Sequence, residues 1–180
     1  MKYKQFPRQL VRKPGHLRVI FSLFAALTLL LSSPLGAEVE NSTIFLIRHA
    51  EKLADSEDPG LSAAGKQRAE KLAVLLQDSE VTGVYSTNYT RTRDTAAPLA
   101  TAEGLEISLY DPSDPDQLVD LLKNNTGRYL VIGHSNTTPD LVERLGGNPG
   151  PPIDEKTEYN RLYIVTLDNS GKAATVLLRY

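Results

Sequence analysis

The chain has 180 residues, 20 Lys plus Arg against 22 Asp plus Glu, three His and no Cys, for a formal charge of −2. Zero Cys excludes disulfides, thiolate catalysis and Cys-based metal sites, and 41% apolar content excludes a disordered chain. The length suits one domain able to bury a core. The charge is unevenly placed. The first 37 residues hold six bases and no acid, leaving 14 bases and 22 acids for the rest, or +6 followed by −8. An acidic remainder argues against a nucleic-acid binder.

The basic stretch precedes an apolar run of 13 residues, Val19 to Leu31, and then Ser32-Ser33-Pro34-Leu35-Gly36-Ala37. A basic segment, a short apolar core, a helix breaker and a small-residue exit have the layout of a secretory signal peptide. The run is short for a membrane span, which needs about 20 residues. The expected domains are therefore an export signal over 1–37 and a folded domain over 38–180, periplasmic or secreted and free of the membrane once the signal is removed. An uncleaved membrane anchor is the alternative, because Leu35 is a poor residue three places before a cut after Ala37. No Cys follows the apolar run, which excludes a lipoprotein anchor.

The remainder alternates strand and helix signals. Thr43 to Ile47 is a short β-branched and aromatic run, a buried-strand pattern. Asp58-Pro59-Gly60 marks a turn, and Ser62 is placed to cap a helix reaching Gln77. Leu61, Gly65, Ala69, Leu72, Ala73 and Leu76 share its sheet-facing side. A strand over Val81 to Tyr85 and a helix over Thr90 to Ala102, which Pro98 should kink, come next. A short strand near Ile107 leads to a turn with a cap at Asp111-Pro112-Ser113-Asp114-Pro115 and a helix over Gln117 to Leu122. Tyr129 to Ile132 reads as another buried strand, and Pro139 to Leu145 as a helix stopped by Gly146-Gly147. After a loop at 149–152, Leu162 to Leu167 and Ala173 to Leu178 pair around the turn Asp168-Asn169-Ser170-Gly171. The fold class is α/β, with helices on both faces of a mostly parallel mixed sheet.

Chemistry concentrates where strands stop. Beyond residue 37 there are two histidines, and each directly follows a buried strand: Arg48-His49-Ala50-Glu51 and Gly133-His134-Ser135-Asn136. Ligands in open α/β sheets bind at the carboxyl ends of strands, so the two could face each other if their strands are neighbours. An arginine abutting a buried strand, as Arg48 does, is costly unless it meets an anion or a carboxylate. Arg91 and Arg93 follow a third strand end; Arg93 points elsewhere on its helix and reads as solvated. Guanidinium groups hold phosphate bidentately, and a neutral imidazole beside them can attack phosphorus. A two-His metal site is disfavoured, since Arg48 beside His49 would repel a cation.

These residues resemble the histidine phosphatase (phosphoglycerate mutase-like) superfamily. Arg48-His49-Ala50-Glu51 is similar to its signature, and Leu61-Ser62-Ala63-Ala64-Gly65-Lys66-Gln67-Arg68-Ala69 to its first helix. Tyr85-Ser86-Thr87-Asn88-Tyr89-Thr90-Arg91-Thr92-Arg93-Asp94-Thr95-Ala96 is similar to its substrate-arginine segment, and Val131-Ile132-Gly133-His134-Ser135-Asn136 to its second-histidine segment. The resemblance implies a three-layer α/β/α sandwich and a phosphatase acting through a phosphohistidine intermediate on His49. Arg48, Arg91 and His134 would complete the phosphate pocket, and no metal or cofactor would be required. The substrate would be a small phosphorylated molecule or a phosphoprotein.

The general acid is the departure. Many relatives supply it from an insertion between the substrate arginine and the second histidine, but here that interval is 42 residues, already filled by helices and strands. Glu51 and Asp111 are candidates, with Asp114 in the same polar loop as Asp111; their competing roles are holding an arginine or a loop, and capping a turn. The place after the second histidine, Asp in the acid-phosphatase branch, is Ser135. A compact member without an acid resembles the phosphohistidine phosphatase branch, whose nitrogen leaving group needs one less. The alternatives are a non-catalytic phosphate-binding or interaction module on the same fold, and a phosphomutase.

Overall fold

The structure is a computed structural model describing residues 41–54 and 56–180. The export segment expected over 1–37 lies outside the described residues. In chain order the elements are β1 (Ser42–Arg48), α1 (Ala63–Leu76), β2 (Gly83–Ser86), α2 (Thr90–Glu103) and β3 (Ile107–Leu109). They continue with α3 (Asp116–Asn124), β4 (Arg128–Gly133), α4 (Thr137–Arg144), β5 (Arg161–Leu167) and β6 (Ala173–Arg179). The strands make one sheet in the order β3-β2-β4-β1-β5-β6. β2 pairs parallel with β3 and with β4, and β1 parallel with β4; β5 runs antiparallel to both β1 and β6.

Alternation along a strand sends successive side chains to opposite faces, so a strand covered on both sides reads as an unbroken apolar run. β1 is such a strand. Ile44 and Leu46 pack with Leu118, Val119 and Leu122 of α3 and Leu141 and Val142 of α4. Phe45 and Ile47 pack on the other side with Leu72, Ala73 and Leu76 of α1 and Ala96, Leu99 and Ala100 of α2. Full burial of each Leu or Ile contributes about 1.5–3 kcal/mol, which makes these two apolar layers the main source of stability. The result is the expected three-layer α/β/α sandwich.

Most expected elements are present with shifted ends. Ser62 caps α1, accepting the Gly65 N–H at 3.1 Å. α2 is a single 14-residue helix running through Pro98. α4 begins at Thr137, ahead of the expected Pro139. Proline fits there because a first-turn N–H has no helical partner to lose. The cap expected at Asp111–Pro115 takes another form. Pro115 occupies the N-cap of α3 without a side-chain bond, and the Asp111 carboxylate closes a local turn by accepting the Ser113 N–H and hydroxyl at 2.8 and 2.6 Å. Among the described residues no helix is long and apolar enough to cross a membrane.

Candidate active site

Strand register builds the site. Arg48 at the end of β1 pairs with Gly133 at the end of β4, so the next residue on each strand is a histidine. The His49 N–H donates to the Gly133 carbonyl at 2.9 Å, and the two rings stand 5.5 Å apart, centroid to centroid, at 67°. On the far side of β4, Ser86 of β2 pairs with Ile132, which brings Thr87 beside His134. Threonines pin the loops: the Ala50 N–H donates to Thr95 Oγ1 at 3.0 Å, and the Thr138 hydroxyl to the Ile47 carbonyl at 3.1 Å. Gly65 lets α1 touch the first loop, since a Cβ there would fall 2.1 Å from the Glu51 carbonyl oxygen.

His49 is buried and its tautomer is fixed. Nδ1 lies 2.8 Å from the Ala50 carbonyl, which can only accept, so Nδ1 carries the proton and Nε2 keeps a lone pair. Burial first, and then the charges of Arg48, Arg91 and His134, push its pKa down to about 3, against the raising effect of the Ala50 bond. Burial, Arg91 and Arg48 bring His134 to about 4. Both imidazoles are therefore neutral at pH 7, the state a nucleophile requires.

The two arginines are held differently. Arg91, in the first turn of α2, lies 3.7 Å from the Asp58 carboxylate and 4.5 Å over the Tyr89 ring, which meets His134 edge-on at 5.1 Å. Arg48 is 2% exposed and sits 4.0 Å over Tyr159. The fork expected to grip an anion instead donates to backbone carbonyls of the following loop: Nη2 to Glu155 at 2.8 Å, and Nη1 to Glu158 at 3.1 Å and Asp154 at 3.4 Å. Among the described residues, Arg48 Nε and Arg91 Nε are buried donors without a partner. Each such group costs about 1–3 kcal/mol until something accepts from it, and a charged donor is best satisfied by an anion.

An open cavity of about 740 Å³ lies above the histidines and is lined by His49, His134, Arg91, Tyr89, Lys52, Glu57, Glu155, Ser135 and Asn136 among others. Arg48 lies outside this lining. The acid candidates from the sequence lie outside it as well. Glu51 is clasped by Arg68, whose Nε and Nη2 donate to it at 2.7–3.0 Å. Burial alone would raise its pKa, but the Arg68 bonds and charge outweigh that and hold it below the ordinary value. Asp111 is engaged with Ser113, and Asp114 accepts from Gln117 at 2.9 Å. Arg93 bonds Asn88 and Thr90 rather than the cavity, as its helical position implied.

Sequence reasoning missed the carboxylates that do line the cavity, Glu57 and Glu155, because position in a polar loop says nothing of where the loop folds. It also missed Tyr159 and the clamp beneath it. Arg161, 4% exposed, donates to Pro151 and Pro152 carbonyls at 2.6 and 3.1 Å and to Glu158 at 2.7 Å, shaping the loop that receives Arg48. The Glu158–Arg161 spacing just ahead of a strand was the readable signal. Among the described residues no group of three or more His, Asp or Glu could hold a metal ion.

A sequence model of the histidine phosphatase superfamily (branch 1) matches residues 44–112. The structure of the protein histidine phosphatase SixA complexed with tungstate superposes with a TM-score of 0.62 at 20% identity, covering 76% of this chain and 96% of that one. Phosphoserine phosphatase from Entamoeba histolytica, in complex with 3-phosphoglyceric acid, gives 0.60 at 14% identity, over 77% and 97% of the two chains. The mycobacterial glucosyl-3-phosphoglycerate phosphatase gives 0.58 at 12%, over 78% and 98%. These likenesses agree with the phosphoglycerate mutase-like fold that the motifs implied. No curated protein matches the chain significantly.

Proposed function

We propose that this chain is a member of the histidine phosphatase superfamily and a phosphatase working through a covalent phosphohistidine on His49. The observation that carries the reading is the pair of neutral, facing imidazoles flanked by two buried guanidinium N–H groups that lack partners. An anion is the acceptor that buried charged donors of this kind lack, and the SixA structure that shares the fold holds tungstate, a tetrahedral oxyanion.

In the proposed reaction the His49 Nε2 lone pair attacks phosphorus as the bond to the leaving group breaks. The leaving group departs with that electron pair and takes up a proton. Water then attacks the phosphohistidine, releasing phosphate and restoring the imidazole. The Ala50 carbonyl holds the His49 ring so that the attacking nitrogen needs no prior deprotonation. Arg91 and His134 bear on the phosphoryl oxygens from the cavity wall, and Arg48 acts through Nε and its charge. The substrate is a small phosphorylated molecule or a phosphoprotein, met after export to the periplasm or exterior. The engagement of the Arg48 fork by carbonyls favours, as a second reading, a pocket that binds phosphate without turnover.

A labelled phosphate ester or phosphohistidine peptide, incubated with the full-length protein and quenched, tests both readings. The phosphatase gives acid-labile label on the protein and chelator-insensitive phosphate release, and both are lost in His49→Ala. Tight phosphate binding with neither labelling nor release would sink the phosphatase in favour of the binding module.

A further inference from the structure

Thr87 and Thr92 are both fully buried at the end of β2 and the start of α2. Thr87 Oγ1 lies 3.0 Å from His134 Nε2 and 3.0 Å from Thr92 Oγ1. Thr92 Oγ1 lies 2.8 Å from both the Thr87 and the Tyr89 carbonyl oxygens. A hydroxyl has one proton to give, and a carbonyl has none. The Thr92 proton therefore goes to a carbonyl, and its lone pair takes the proton of Thr87. Thr87 is then left to accept, and its remaining neighbour is His134 Nε2. The opposite polarity would leave Thr92 facing two carbonyls lone pair to lone pair at 2.8 Å.

We propose that Thr87 and Thr92 are positioning residues that hold His134 as its Nε2–H tautomer, leaving Nδ1 as the nitrogen able to take a proton from a bound phosphate. The transfer balances without another reactant. A substrate arriving as the phosphate monoanion gives its proton to Nδ1, forming an imidazolium and a dianion. The charged or titratable groups around that imidazole are Arg91, Arg48, His49 and Tyr89. Both positive neighbours disfavour the imidazolium until the dianion lies between them, so the transfer is tied to binding. His49 and His134 are thus fixed as opposite tautomers by two unrelated devices, a backbone carbonyl on one and a hydroxyl chain on the other.

The kinetic consequence rests on the phosphatase reading; the tautomer does not. Long-range nitrogen–proton NMR correlation on the full-length protein reads each imidazole nitrogen directly, with His134→Gln identifying the His134 signals. The expected result is a proton on Nε2 of His134 in the wild type and in Thr87→Ser, and a mixture of tautomers in Thr87→Val. In turnover, Thr87→Val lowers kcat on the order of tenfold with KM little changed, as a histidine in the wrong tautomer does, and Thr87→Ser restores it. A wild-type proton on Nδ1 overturns the proposal, as does an unchanged tautomer in Thr87→Val. If the valine variant does not fold, the wild-type and serine spectra still decide. A protein with the expected tautomer and no turnover refutes the phosphatase and leaves the hydroxyl chain standing.

Discussion

The Asp58 carboxylate stands 3.7 Å from the Arg91 guanidinium and at the same time accepts the Thr90 N–H at 3.0 Å and the Thr90 hydroxyl at 2.7 Å. One side chain from the first loop thus caps α2 and fixes the arginine that lines the cavity. Asp58→Asn keeps an acceptor for Thr90 and loses the charge that orients Arg91. KM for a phosphate ester should rise severalfold, with the thermal midpoint barely moved, because Asp58 is solvent-exposed and its charge is screened, while the bonds to Thr90 are kept. Steady-state kinetics and thermal unfolding on the same variant separate the roles. An unchanged KM with a lowered midpoint would reduce Asp58 to a helix cap.

Gly65 is a packing requirement beside the first histidine loop. An alanine Cβ would lie 2.1 Å from the Glu51 carbonyl oxygen and 3.0 Å from its carbon, and both are backbone atoms that cannot rotate aside. Gly65→Ala should destabilise the domain by about 1–3 kcal/mol or more, the range for overpacking, in urea unfolding. Activity should fall beyond what the unfolded fraction explains, since Glu51 lies two residues after His49. A variant of wild-type stability would show that α1 has room to move.

The two buried histidines predict acid sensitivity. Both folded pKa values, about 3 and about 4, lie below the ordinary imidazole value of about 6.5. Between those limits the unfolded chain binds more protons than the folded one, so stability rises with pH through the window and is lost as pH falls from about 6.5. Denaturant midpoints at pH 6.5 and 5, where the carboxylates held low contribute little, should show this decline. The double variant His49→Asn, His134→Asn should flatten it. A wild-type midpoint constant across this window would mean that the imidazoles are charged or exposed.

Locked carboxylates should not act as general acids. Asp111→Asn should leave kcat/KM for an alkyl phosphate within about twofold, because its oxygens close a turn outside the cavity lining. Glu51→Gln should act through stability, loosening Arg68 from the first loop, and should affect alkyl and aryl esters alike. A selective loss on the alkyl ester, the substrate with the poorer leaving group, in either variant would restore that residue as the proton donor.

The sequence by itself determined the layers and the facing pair of histidines. Apolar runs of strand length, a 3.6-residue stripe beside Ser62, and turns rich in Pro and Gly are local physical preferences, and they gave each element to within a few residues. His49 and His134 were legible because each directly follows an apolar strand, and parallel neighbours end at the same edge. The tertiary structure alone decided what each polar group faces. Glu51 had an arginine partner 17 residues on, and the Arg48 fork met carbonyls more than 100 residues away. Glu57 and Glu155 reached the cavity through loop paths that leave no periodic trace. Hydrogen-bond partnership depends on distances set only after the chain has packed. The sequence could therefore name the imidazoles, and the fold had to set their hydrogen-bond partners, their burial and which carboxylates stand near them.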